Sequence, residues 1–320
     1  MFLIEIVFAN IFIPTLLVLL AATVWRRLSR QGPVPESQDE LRSSQQSIRR
    51  FMAAGVVTVL MSAAFYAAFA FRNQWLVDWE DYWQRIPAIT LVIFWGAGWL
   101  AGGIPSPLNW LFRGVLLLWG AWMVFPVGSG WEFLEERRGA WLVAIGANAV
   151  VASWFASQLP SRFLRHLLFS WLPCWIAAAF LTAQSFMRVT ELLITIGCIT
   201  GAAAVALARR SVPPPSGSMW ITGIVFGGMA ALAHGQFNSF LGLSDALTWL
   251  AMTVPTLVAG VAYGVSKYCG VEQKPSAGNP EPSTKQALPT IVSMWCVALV
   301  GSLAVVTWTQ LSVTALLDGQ

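Results

Sequence analysis

The chain has 320 residues, 57% hydrophobic and only 11% charged, with a mean hydropathy of +0.64. A soluble domain carries roughly 25% charged residues, so this composition excludes a soluble enzyme or a string of soluble domains. The formal net charge of +4 implies no nucleic-acid partner, because the basic residues fall in connections between apolar runs, where membrane topology accounts for them.

The apolar runs are about 17–25 residues long, enough to cross a hydrocarbon core of roughly 30 Å as a helix. The alternating segments of a β-barrel are absent. The expected fold is all-α, a polytopic integral membrane protein forming one membrane domain over residues 1–320. Ten spans are expected, near 3–25, 52–71, 87–104, 108–126, 140–158, 167–184, 190–208, 218–238, 246–266 and 289–313.

The first run, "MFLIEIVFANIFIPTLL", lacks the basic start and small-residue cleavage site of a signal peptide and reads as a retained span. Glu5 near its outer end suits the headgroup level better than a proton-coupling role. Asn10 is a mid-span amide that glues helices or lines a substrate path. Pro14 removes a backbone donor and favours a kink. Residues 26–51 form a basic cytoplasmic loop, rich in Ser and Gln, whose second half suits a short surface helix near anionic headgroups.

Between spans 2 and 3 lies "NQWLVDWEDYWQRIP", with Trp75, Trp79 and Trp83 four residues apart. On a helix these three share a face. A helix lying flat at the interface explains the stripe, since Trp prefers the headgroup level. An outer-face site is the competing reading, with Trp stacked on a sugar or headgroup and Asp78, Glu80 or Asp81 as a base. The second acidic outer loop, "GSGWEFLEERRGAW", offers Glu132, Glu135 and Glu136 to the same site.

Arg113 is the one basic residue well inside a span. It lies about 8 Å from the cytoplasmic end of span 4, within reach of the headgroups by snorkelling. A counter-charge for an anionic substrate is the alternative. Asn148 is a second mid-span amide, and His166 lies in a basic inner loop where solvation suffices. Pro173 and Pro255 interrupt spans 6 and 9. His234, near the outer end of span 8, reads as a hydrogen-bonded structural residue or as a site histidine. Residues 267–288 form a flexible, Pro-rich cytoplasmic loop. Cys174, Cys198, Cys269 and Cys296 show neither CxxC nor Cys/His spacing, so no disulfide framework, metal site or cofactor is implied.

Loop charge sets the orientation. The odd-numbered loops carry thirteen Lys and Arg and the even-numbered loops five. The positive-inside rule then places the odd loops in the cytoplasm and both termini outside. Four small-residue pairs at GxxxG spacing, Gly98/Gly102, Gly197/Gly201, Gly223/Gly227 and Gly260/Gly264, favour close packing of spans 3, 7, 8 and 9. Ten spans divide into five and five, which inverts the halves. Pro14 matches Pro173, and the glycine clusters of spans 3 and 8 match each other, as in the inverted repeats of transporters.

Three functions fit. The first is a transporter or permease-type subunit for a small molecule or lipid-like substrate, with Asn10, Pro14, Arg113 and Pro173 near its path. The second is an outer-face membrane enzyme acting on a lipid-linked or envelope substrate, using the outer carboxylates and His234. The third is a non-catalytic membrane subunit of a larger complex. The expected partners are the lipid bilayer and other protein subunits, and the expected location is the cytoplasmic membrane of a bacterium. A Ser37→Cys variant should resist an impermeant thiol reagent in intact cells and Gly130→Cys should react; the opposite labelling would overturn the orientation.

Overall fold

A computed structural model describes residues 5, 7–29, 39–73, 77–104, 107–208, 218–239, 241–269 and 284–318. Among them the regular structure is all helix. The main helices are α1 (Ile13–Ser29), α2 (Asp39–Asn73), α3 (Tyr82–Ile93), α4 (Leu108–Val124), α5 (Arg138–Gln158), α6 (Ser161–Ala183), α7 (Met187–Ala208), α8 (Ser218–Phe237), α9 (Asp245–Tyr268) and α10 (Thr284–Asp318). Seven are long and apolar enough to cross a membrane by length and composition: α1 with the turn before it, α2, α5, α6, α7, α9 and α10. α4 and α8 are apolar but shorter.

Local chemistry explains where helices start and loosen. A π-helical turn, Phe8–Phe12, leads into α1. Pro14 has no N–H for the Asn10 carbonyl four residues back, and its ring crowds that carbonyl; a widened turn just before the proline relieves the clash. α3 loosens into a π-helical segment, Phe94–Trp99, and then a 3-10 turn, Leu100–Gly103. Gly96, Gly98, Gly102 and Gly103 lie there, and glycine holds helical geometry weakly. The Ser- and Gln-rich half of the first loop is not a separate surface helix. It is continuous with α2, which begins at Asp39. The loop expected at 267–288 falls mostly outside the described residues; α9 reaches Tyr268 and α10 begins at Thr284.

α8 is the centre. Every residue from Ile221 to Phe237 is buried. Around it pack α2 through α7, α9 and the π-helical segment of α3. Consecutive helices pair as hairpins, α1 with α2, α4 with α5, α6 with α7 and α9 with α10. Large apolar side chains on α4 and α10 point outward, among them Leu111, Val115, Val300, Leu303 and Leu311. A water-facing surface rarely carries so continuous an apolar face, and lipid is the medium that suits it.

The glycine pairs divide by their packing. A Cβ at Gly223 would lie 2.5 Å from the Phe94 ring, and one at Gly228 2.3 Å from the Trp175 ring. At Gly227 it would meet Thr90 at 3.0 Å. So α8 uses its missing side chains to admit aromatic rings from α3 and α6. The α7 pair makes ordinary contacts, with Leu172 3.4 Å from Gly201 and Trp175 3.8 Å from Gly197. Gly260 faces Phe155 at 3.2 Å, but Gly264 faces open space. Gly223→Ala and Gly228→Ala should each destabilise the protein by about 1–3 kcal/mol, the usual penalty for overpacking. Gly264→Ala should be neutral, or stabilising by up to about 1 kcal/mol; thermal unfolding in detergent reads both.

Candidate functional site

Two places bring together polar groups from distant parts of the chain. The first is a seam between α1 and α7. Asn10, in the π-helical turn, is 3% exposed. The Thr195 hydroxyl is 3.2 Å from Asn10 Oδ1 and 3.0 Å from the Glu191 carbonyl. Asn10 Nδ2 is buried with no hydrogen-bond partner. Glu191 lies one helical turn before Thr195 on the same face of α7. It is only 4% exposed, with Arg188 Nη1 3.9 Å from its carboxylate, and it has further partners in the fold.

The seam exists because α1 packs on α7. Glu191 looks in the sequence like one more acidic residue beside an outer loop, and burial singles it out. Helix α7 starts three residues earlier than the expected span, at Met187, which draws Glu191 into its second turn.

The other residues proposed for a substrate path do not gather here. α1 and α6 both pack on α7, and no extended α1–α6 interface forms, so Pro14 and Pro173 do not flank a common cleft. Pro173 lies within α6, two residues beyond Trp171, whose indole N–H donates to the Pro255 carbonyl of α9 at 3.0 Å. Arg113 does not snorkel. Its side chain is folded into the protein, with the residue 2% exposed and the guanidinium 4.7 Å from the Trp110 ring centroid. Packing of α4 against the interrupted end of α3 holds it there. Asn148 donates to the Ala144 carbonyl at 2.8 Å and lines an open apolar groove between α5 and α9.

The second place is an aromatic layer where the even-numbered loops meet. His234 is 2% exposed. Its ring centroid is 5.8 Å from that of Phe186, 6.3 Å from Phe237 and 6.4 Å from Trp131. Asn238 Nδ2 is 3.0 Å from His234 Nε2. Trp131 touches Tyr82, whose hydroxyl donates to the Val127 carbonyl at 2.6 Å. Phe186 touches Trp83, and the Ser185 hydroxyl donates to the Gly235 carbonyl at 2.9 Å. His234 is therefore the hub of a loop clamp. Trp131 and Phe186 have no sequence signal for this role, since only the tertiary fold brings them to it.

The tryptophan stripe does not survive as a helix face. Trp75 lies outside the described residues. Trp79 sits in a bend, 51% exposed, while Trp83 is 8% exposed in the first turn of α3. Acidic side chains compete with helix formation here. Asp78 Oδ1 accepts from the Glu80 N–H at 3.0 Å, and the Asp81 carboxylate accepts from the Trp83 indole. Glu132 accepts from the Gly130 N–H at 2.9 Å in a turn where Gly128 and Gly130 have positive φ. Glu135 and Glu136 are exposed. No hydrogen bond or ion pair links any of the six to His234 among the described residues. Nor does any group of three His, Cys, Asp or Glu there suit a metal ion.

No protein-family model matches the chain, and no curated protein is similar enough to count as a relative. Arg113→Lys should lower stability by about 0.5–2 kcal/mol, because a lysine cannot lay a planar guanidinium over the Trp110 ring; melting of the purified variant checks it.

Proposed function

We propose that the protein is a carrier for a small molecule in the cytoplasmic membrane of a bacterium. In this reading ten segments cross the bilayer, the odd loops face the cytoplasm and both termini face out. The observation that supports it best is the α1–α7 seam. There a buried amide with an unpartnered atom meets the Thr195 hydroxyl of α7 where α1 departs from α-helical geometry, and a buried carboxylate, Glu191, lies one helical turn away on α7. Broken helices and polar groups at depth are how membrane carriers build binding sites in an apolar bundle.

The inverted repeat has partial support. The α1–α2 hairpin corresponds to α6–α7 and the α4–α5 hairpin to α9–α10, with α3 against α8 and α2 against α7 at the pseudo-axis. The interfaces α6–α10, α5–α8, α5–α9 and α1–α7 lack extended counterparts in α1–α5, α3–α10, α4–α10 and α2–α6, so any symmetry is incomplete.

The outer-face enzyme draws less support. Its carboxylates face solvent or serve local backbone bonds, and His234 is enclosed by rings. The subunit reading rests on the exposed apolar faces of α4 and α10, which lipid covers equally well. Liposomes containing the purified protein should take up at least one solute from a panel of amino acids, sugars, nucleosides and amines. Asn10→Ala should cut that uptake about tenfold or more, the effect of losing roughly 1.4 kcal/mol of differential binding. Absence of flux for every solute, with folded protein in the liposomes, would overturn the carrier reading.

A further inference from the structure

We infer that the open groove between α5 and α9 is where a second copy of this chain docks, giving a two-fold dimer joined through α5. The inference does not rest on the carrier reading. Its basis is the amide of Asn148.

Asn148 stands at the middle of α5 (Arg138–Gln158), about 15 Å from its outer end. That is half-way through a hydrocarbon core of roughly 30 Å. The residue lines the groove. A primary amide has two N–H donors and an oxygen that accepts. Nδ2 gives one N–H to the Ala144 carbonyl at 2.8 Å. A carbonyl cannot donate, so this bond also fixes which end of the amide is nitrogen. The one further bond at this residue, from the Thr256 hydroxyl at 3.5 Å, goes to the backbone carbonyl. The second N–H and Oδ1 therefore have no partner among the described residues.

Whatever fills the groove must present a donor and an acceptor at mid-depth. A lipid acyl chain has neither, and it leaves both atoms unpaired in hydrocarbon, where that is costly. A second copy has both. It crosses the bilayer in the same orientation, so its Asn148 lies at the same depth. Partial charges then match in pairs: the free N–H of each amide donates to Oδ1 of the other. Contact of a patch with itself is what a two-fold axis along the membrane normal produces. Amide bonds between helices hold membrane bundles together in the same way.

The surroundings allow the approach. Ala140, Ala144, Ala147 and Val151 line the groove with Asn148, and Trp249 lines it from α9. From 139 to 151 no exposed position of α5 carries a residue larger than valine. The outward faces of α4 and α10 differ, with Leu111, Leu303 and Leu311, side chains that suit lipid tails. Small side chains let two helix backbones come close. The groove is also preformed, because an ion pair between Arg137 and Asp245 ties the outer ends of α5 and α9.

The test counts copies of the full-length protein in liposomes at low density, by stepwise photobleaching of one dye per chain. The unsubstituted protein should bleach in two steps. Asn148→Leu fills the groove with apolar surface but removes the paired amides, and should raise the dissociation constant of the dimer about threefold to tenfold. Ala147→Trp should leave single copies, and Leu303→Trp on α10 should keep pairs. If Ala147→Trp does not fold, Ala147→Cys changes the size of the side chain little. A bifunctional thiol reagent should then join two copies of it in membranes in higher yield than it joins Leu303→Cys. Single copies of the unsubstituted protein, with or without a retained phospholipid, would overturn the dimer. So would pairs that Asn148→Leu and Ala147→Trp leave unchanged, equal cross-linking of the two cysteine variants, or a different protein found in the groove. A dimer that moves no solute keeps this inference and removes the carrier, and a single copy that moves solute does the reverse.

Discussion

The bundle depends on close approach to α8. That helix has no face to spare for lipid or water, because its neighbours cover it all round. Between helices in a membrane there is little hydrophobic drive, since lipid tails are as apolar as the side chains. Dispersion contacts must hold the neighbours, and dispersion falls off within fractions of an ångström. Glycine at 223, 227, 228 and 235 lets Phe94, Thr90, Trp175 and Thr182 fill the space a Cβ would take. Small backbone and large ring are one joint, with its two halves on different helices. The position of α3 follows from it, and with α3 goes α4, whose Leu116 fills the space above Gly96.

Against that close-packed centre the polar residues fall into two groups. Some are satisfied within their own helix, as Thr58 is by the Ala54 carbonyl and Thr200 by the Ile196 carbonyl. These need no partner and tell nothing of function. Others depend on a second helix: Asn10 on α7, Gln236 on Thr248 of α9, and Trp95 on Ser62 of α2. Gln236 and Trp95 each find a partner. Asn10 does so with only part of its amide. Incomplete satisfaction is shared with other buried groups, among them His234 Nδ1 and the Trp175 indole N–H; what sets the α1–α7 seam apart is that its amide lies in a π-helical turn.

How much of this the sequence discloses varies by physical range. Each of the ten apolar runs falls on helix, because run length is a local property. The break in α3 was half visible. Its glycines are plain to see, but they also suit a straight helix packed closely, and the choice is made by Phe94 seating on Gly223. Arg113 reads in the sequence as a side chain free to reach the headgroups, whereas the fold buries it against Trp110, because burial is decided by tertiary packing and not by chain position. Glu191 carried no signal at all. A carboxylate three residues from an arginine at a loop edge looks the same whether or not another helix covers it. The tryptophan stripe misled for the opposite reason. Its spacing is helical, but Asp78 and Asp81 take the backbone and indole donors around it and start the helix only at Tyr82.

The continuity of α2 has a mechanical consequence. Thirty-five residues in one helix extend about 52 Å, well beyond a hydrocarbon core of roughly 30 Å. Its first turns, bearing Arg42, Arg49 and Arg50, are a stiff handle on the shaft that carries Ser62 against Trp95 in the loosened part of α3. A shaft transmits torque. An unbroken helix couples its ends, so the placing of its first turns and the seating of Ser62 on Trp95 are not independent of one another.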